Sequence, residues 1–299
     1  MENVSVPMII SGCIMLRNAV INDYPFVESI LSVLPLVDEM IVSVDKGDDN
    51  TLDVITQINN PKIKIIPSQW DMTKRSGGVV YAEETNKVLD AVRPDSNWIL
   101  YIQADEVLHE KDYPKILEAA KLYANHKKVK GLLFRYVHFY GTYDYIGSGR
   151  QWYNAEVRMI KNDPSIRSYK DAQGFRIGTT KIPVVDVDAE VYHYGWVKSP
   201  EKMKKKMDTT IVYYSSDDEG IKRLRASELS YAFDNFGKLD YYNGTHPEVM
   251  LGRIQTKNWK LDLDISINQY SFKDRLLNTF EKLTGLRLFD FRNYRRINP

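Results

Sequence analysis

Short apolar runs and helix-spaced patterns alternate through the first hundred residues, and this alternation constrains the fold more than any other feature. Residues 8–16 read as a buried strand, and residues 25–34 follow with Phe26, Ile30, Leu31 and Leu34 at helical spacing. A second strand over 40–44 ends at Asp45. The next helix opens near Asn50 and Thr51, with Asn50 or Asp49 as its N-cap and Leu52, Ile55 and Ile58 on one face. Residues 62–66 form a third strand, 81–92 a helix and 98–102 a fourth strand. This order predicts a parallel sheet with right-handed crossovers. Such sheets bind ligands beyond the carboxyl ends of their strands.

The pattern then changes. After a helix over 113–125, residues 129–140, 152–160 and 184–194 look extended and partly alternating, which predicts a mixed sheet that completes the domain. From Ser199 the chain turns helical, with Ser199 as cap and Pro200 at the first helical position. Thr245 and Glu248 read as a capping box before Val249, Met250 and Ile254. The tail over 271–299 is basic and amphipathic, with Leu276, Leu277, Phe280, Leu283 and Leu286 among lysines and arginines. The expected organisation is an α/β domain of the Rossmann-like kind over 1–198, built on a mixed, mainly parallel sheet, and a helical C-terminal extension over 199–299.

Charge excludes one class of partner. Lys+Arg 41 against Asp+Glu 40 leaves +1 in 299 residues, so no global field draws the chain to nucleic acid or membrane. The one cysteine, Cys13, can form neither an internal disulfide nor a cysteine-based zinc site, and a cytoplasmic, reducing setting is the simpler expectation. Within its apolar run it reads as a small buried side chain. The start shows no basic segment before an apolar stretch, so no signal peptide is expected, and no run of apolar residues is long enough to span a bilayer.

The segment that carries chemistry is Trp98-Ile99-Leu100-Tyr101-Ile102-Gln103-Ala104-Asp105-Glu106-Val107-Leu108, where an apolar strand runs into an acidic pair at the sheet's end. A carboxylate there can hold a divalent cation that bridges a diphosphate. A solvated surface turn is the plain alternative.

These residues resemble glycosyltransferase family 2, which has the A-type fold and an Asp-x-Asp-type motif after the fourth strand. The likeness continues in Ile14-Met15-Leu16-Arg17-Asn18, in Val42-Ser43-Val44-Asp45, in Trp152-Tyr153-Asn154 with Val157-Arg158-Met159, and in Tyr192-His193-Tyr194-Gly195-Trp196. It covers most of residues 8–207. The resemblance implies a metal-dependent, inverting transfer of a sugar from a nucleoside diphosphate, a UDP-sugar first, to a saccharide or lipid-linked acceptor. Surface polysaccharide or lipopolysaccharide assembly is the family-level setting.

It also implies roles. Asp105 meets Mn²⁺ or Mg²⁺, His193 completes the metal shell as in some members of the fold, and Asp45 recognises the nucleotide. Gln103 stands where the family has its first motif aspartate, a departure, because a neutral amide is a weaker ligand for a hard cation. Arg17 faces the base or diphosphate, or solvent. Lys74 and Arg75, before Ser76-Gly77-Gly78, suit phosphate or belong to an ordinary turn. Asp171 is the candidate base, with Glu156 and Asp144 as competitors. Trp152 and Tyr153 offer a stacking face to the acceptor or are sheet aromatics, and Arg158 anchors the acceptor or holds a loop. His109, His126 and His138 read as surface or packing residues, and His246, at a helix start, touches an acceptor or does nothing chemical.

Two other functions fit the same sheet. A sugar nucleotidyltransferase expects a glycine-rich basic loop after strand one, where this chain has Met15-Leu16-Arg17-Asn18-Ala19. A non-catalytic nucleotide or sugar binder would carry Gln103 as its mark. The basic tail lies on the inner membrane face, or packs on the domain or on a second subunit of a homodimer.

Overall fold

The computed structural model describes residues 7–215, 217, 219–223, 236–285 and 287–299, so Leu286 of the amphipathic tail lies outside the described residues. Strands β1 (Ile10–Leu16), β2 (Glu39–Asp45), β3 (Ile63–Ser68) and β4 (Trp98–Tyr101) pair in parallel in the order β3-β2-β1-β4. Helices α1 (Phe26–Val33), α2 (Thr51–Thr56) and α3 (Val79–Asp90) make the crossovers. Alternate strand residues face opposite sides. Ile14, Val42 and Trp98 pack under Phe26 and Ile30 of α1, while Cys13, Ile41 and Ile99 pack under Val88 and Leu89 of α3. Both faces are buried, which is why these strands read as unbroken apolar runs. Burial pushes the Cys13 thiol well up, as an inert core residue requires.

The second half turns antiparallel. It contains β5 (Glu106–Leu108), α4 (Tyr113–Tyr123), β6 (Gly131–Gly141), β7 (Tyr145–Gly147) and β8 (Ala155–Lys161). A separate three-stranded sheet is made by β9 (Ile166–Ser168), β10 (Phe175–Ile177) and β11 (Thr180–Lys181). Strand β8 pairs with both β4 and β6, carrying the main sheet onward. The long β12 (Pro183–Val197) lies parallel to β6 and antiparallel to β5. The result is the α/β architecture with a mixed sheet that the sequence predicts. Beyond β12 come α5 (Pro200–Thr210), β13 (Leu239–Tyr241), α6 (Leu251–Gln255), α7 (Phe272–Thr284) and β14 (Arg295–Arg296). This C-terminal segment adds β13 to β7 and β14 to β12, so it contributes to the sheet as well as supplying helices.

Local signals explain the helix ends, with two corrections. Ser199 caps α5 through the amide of Lys202, and Pro200 takes the first position, as read from sequence. At α2 the N-cap is Asn50, which makes no side-chain cap bond; Asp49 Oδ1 accepts the Thr51 amide at 3.0 Å instead, and Leu52 is 47% exposed, off the buried face. Thr245 and Glu248 do not form a capping box. The Thr245 hydroxyl bonds to His109 Nε2, and the Glu248 amide donates to the Glu110 carboxylate. The reciprocal box occurs instead at Ser271 and Asp274, which open α7.

Candidate active site

The carboxyl ends of β1 and β4 open into a cavity of about 1310 Å³ that α5, the loop before β10 and the C-terminal segment enclose. The acidic pair after β4 divides at its entrance. Glu106 is fully buried and accepts Arg158 Nε and Nη2, each at 2.7 Å, together with the Tyr136 hydroxyl at 2.7 Å and the Gln103 amide at 3.1 Å. Four donors satisfy it, so Glu106 braces the turn and stays out of the chemistry. Asp105, the next residue back, lines the cavity. Burial works to raise its carboxyl, but His193 beside it and the ammonium groups of Lys206 and Lys198 hold it well below the usual range.

The histidines beside Asp105 form a relay. His138 Nε2 lies 2.7 Å from the Tyr153 carbonyl oxygen, which can only accept, so Nε2 carries the proton. Burial, with His193 next to it, pushes His138 down to about 3, leaving it neutral with a bare Nδ1. That nitrogen faces His193 Nδ1 at 3.0 Å and therefore accepts its proton. His193 Nε2 is thereby aimed at Asp105 Oδ2, 3.4 Å away. Two acceptor atoms at that separation require a positive occupant, which is either a proton on Nε2 or a metal cation. Residue 195 is glycine, and a β-carbon there would stand 2.5 Å from Asp105 Oδ2 and 2.7 Å from His193 Nε2. The donor set, one carboxylate and one imidazole held by its hydrogen bond to His138, fits Mn²⁺. Among the described residues no third His, Cys, Asp or Glu joins it.

At the β1–β2 end, Asp45 is buried and faces no ligand space. Its oxygens accept the Gly47 and Trp70 amides, each at 2.8 Å, and pair with Arg17. The expected nucleotide-recognising carboxylate is thus a bracket that orients Arg17, and Arg17 and Trp70 form the cavity wall. Arg17 Nε and Trp70 Nε1 are both buried without an acceptor. Two orphaned donors on one wall point to a ligand oxygen there.

The acids near the acceptor side also separate. Asp144 bonds Thr142 and Lys257 and does not line the cavity. Asp171 lines it, lies against Gly78, and accepts Gln173 Nε2 at 2.7 Å. Glu156 lines it from β8, is buried, and has an unpartnered Oε2. Burial, relieved only partly by Arg158, pushes its carboxyl up to about 7. That is the value for a group that must exchange a proton near neutrality.

Several expected contacts are not made. Arg158 touches the cavity, but Glu106 holds its guanidinium, so the salt-bridge role holds and acceptor anchoring does not. Trp152 packs on Tyr140, Trp196 and His138 and donates Nε1–H to the Phe236 carbonyl, so of the two rings it is Tyr153 that lines the cavity. Arg75 and Lys74 lie off the lining, and Lys74 pairs with Glu83. Gln103 lines the cavity beside Asp105.

The reading from sequence missed two residues. His138 is found only when β6 and β12 are paired, because the register sets it directly against His193. Lys206, which donates to the Gly195 carbonyl at 2.9 Å and faces the cavity, sat within a lysine run that reads as a solvated helix face.

No family model matches the chain, and no curated protein matches its sequence. Among solved structures, residues 1–349 of TarS from S. aureus, also seen with UDP, are 14% identical over 76% of this chain and 74% of that one, with a TM-score of 0.38. The mannosyltransferase PcManGT from Pyrobaculum calidifontis, in complex with GDP-Man and Mn²⁺, is 10% identical over 78% and 72%, with a TM-score of 0.40. The 4-diphosphocytidyl-2C-methyl-D-erythritol synthase of Anaerococcus prevotii is 13% identical over 74% and 96%, with a TM-score of 0.36.

Proposed function

We propose that this chain is a metal-dependent, inverting glycosyltransferase acting on a nucleoside-diphosphate sugar. The observation that carries the reading is Asp105 Oδ2 facing His193 Nε2 at 3.4 Å, beside a glycine at 195 that puts no β-carbon against either atom. Asp105 and His193 would hold a divalent ion, which would supply charge neutralisation for a departing diphosphate. Lys206, on the same side, adds a fixed positive charge. Arg17 and Trp70 donate to the base or ribose end. Uracil, with two carbonyl oxygens, suits two unpartnered N–H groups, which favours a UDP-sugar.

The acceptor is a saccharide or lipid-linked hydroxyl lying against Tyr153. Its oxygen attacks the anomeric carbon while the bond from that carbon to the diphosphate oxygen breaks. The electron pair leaves with the nucleotide, and the hydroxyl proton passes to the Glu156 carboxylate. Glu156 suits this better than Asp171 because its buried, half-ionised carboxyl has an oxygen that no protein donor engages. Asp171 remains the second acid of the wall and positions Gln173.

Manganese titration by electron paramagnetic resonance with UDP, beside UDP release from a panel of sugar nucleotides, tests the reading. The parent chain binds Mn²⁺ and releases UDP. Gly195→Ala, whose β-carbon forces the Asp105 and His193 side chains to shift, loses Mn²⁺ affinity by roughly tenfold or more. Pyrophosphate release would mark a nucleotidyltransferase. Absence of UDP release from every donor with either ion overturns the proposal.

A further inference from the structure

Helix α7 faces the wrong way for a helix that completes a core. Phe272, Leu276, Phe280 and Leu283 fall on one stripe, at steps of four, four and three residues. That stripe is turned outward: Phe272 is 79% exposed, Leu276 58%, Phe280 38% and Leu283 81%. The opposite side is the one that meets the protein. There Leu277 and Asp274 line the cavity, and the Glu281 carboxylate pairs with Arg150. Just past the helix, Phe289 and Phe291 are exposed at the cavity rim. A soluble packing helix has the reverse arrangement.

The charges beside the stripe are of one sign. Arg275 and Lys282 are exposed at its edge, whereas Asp274 and Glu281 turn inward to the Ser271 cap and to Arg150. An apolar stripe edged only by cations complements anionic lipid, with the long stems reaching along the apolar surface and the charged ends at the headgroups. A second copy of the chain is a poorer occupant, because two-fold pairing would bring these cations close to their equivalents.

We infer that the outer face of α7 lies in the surface of an anionic bilayer and holds the mouth of the cavity at the level of the lipid headgroups. Given the glycosyl-transfer reading, the acceptor hydroxyl is then carried on a lipid; the docking itself does not depend on that reading.

The experiment is co-sedimentation of the full chain with vesicles of phosphatidylcholine alone or with one-third phosphatidylglycerol. No sugar nucleotide is present, so its result stands apart from any activity. The chain is expected to bind the anionic vesicles, less at high salt, and to ignore the neutral ones. The triple variant Phe272→Ser, Leu276→Ser, Leu283→Ser lowers partitioning roughly tenfold or more while its melting temperature holds, since all three side chains are already exposed. The pair Arg275→Glu, Lys282→Glu abolishes the preference for anionic lipid. Failure to bind anionic vesicles, or equal binding by the triple variant, overturns the inference. So does a parent dimer in light scattering that the triple variant converts to monomer without any vesicle binding, which would make the stripe a contact between copies.

Discussion

Two carboxylates face the same cavity in opposite electrostatic states. Around Asp105, an imidazole and two lysines outweigh burial and hold the group ionised; around Glu156, burial outweighs Arg158 and holds it near half-protonation. One region is built to keep a negative charge and the other to accept a proton. Pairs of acids driven apart in this way mark a division of labour, and here it separates cation holding from proton transfer. The same guanidinium links the two regions. Arg158 lies bidentate against Glu106, the neighbour of Asp105, and its charge is the main influence that lowers Glu156.

Removing the permanent charge should break this contrast most severely. Asp105→Asn keeps the volume and loses the ligand, and UDP release at saturating Mn²⁺ should fall about a thousandfold or more. An undiminished rate would show that the cation end has no role. Arg158→Met comes next. It leaves Glu106 buried without its ionic partner, so urea titration should report a loss of about 3–5 kcal/mol. If unfolding were unchanged, the two regions would be independent.

Glu156→Gln sharpens the other half. Turnover should drop by roughly a hundredfold, from loss of the base, and stability should move the other way. A carboxyl raised to about 7 in the folded chain binds its proton more tightly there than when unfolded. Its contribution is therefore fully present below the unfolded value and is lost as pH rises through about 7. The parent should lose up to about 3 kcal/mol across that window, and the glutamine variant should not. Parallel pH curves for the two proteins would remove Glu156 as a perturbed acid. The smallest effect belongs to the relay. His138→Phe keeps a ring of similar size but leaves His193 Nδ1–H without its acceptor, and Mn²⁺ affinity by calorimetry should weaken about tenfold.

How much of this could be read in advance follows the range of the interaction. The strand and helix alternation through β4 is local, so hydrophobic runs placed β1–β4 and the turn that ends in Asp105. Asp105 was likewise nominated by where a strand stops, whereas the family resemblance brought in His193 and put Asp171 ahead of Glu156 as the base. What stayed hidden needed pairing across the sheet. Whether Glu106 or Asp105 faces the cavity depends on Arg158, which is 52 positions away. The orientation of the His193 ring depends on His138, 55 positions away on a neighbouring strand. The place of Asp45 off the cavity lining was hidden for a related reason: two backbone amides from separate loops engage its oxygens. The capping error had the same origin, since Thr245 had a distant partner in His109, whereas Ser271 formed its box locally with Asp274.

The strand β14 gives the proton-accepting end a history. Asn293, buried just before β14, reaches Glu156 Oε1 at 3.5 Å and the Gln173 carbonyl, while Gly174 leaves room for it. Those partners stand 137 and 120 positions earlier. During synthesis the sheet around β8 can therefore assemble well before the residues that wall in Glu156 have left the ribosome. A chain halted ahead of Asn293 would display the architecture while its carboxyl still met bulk water and behaved as an ordinary glutamate.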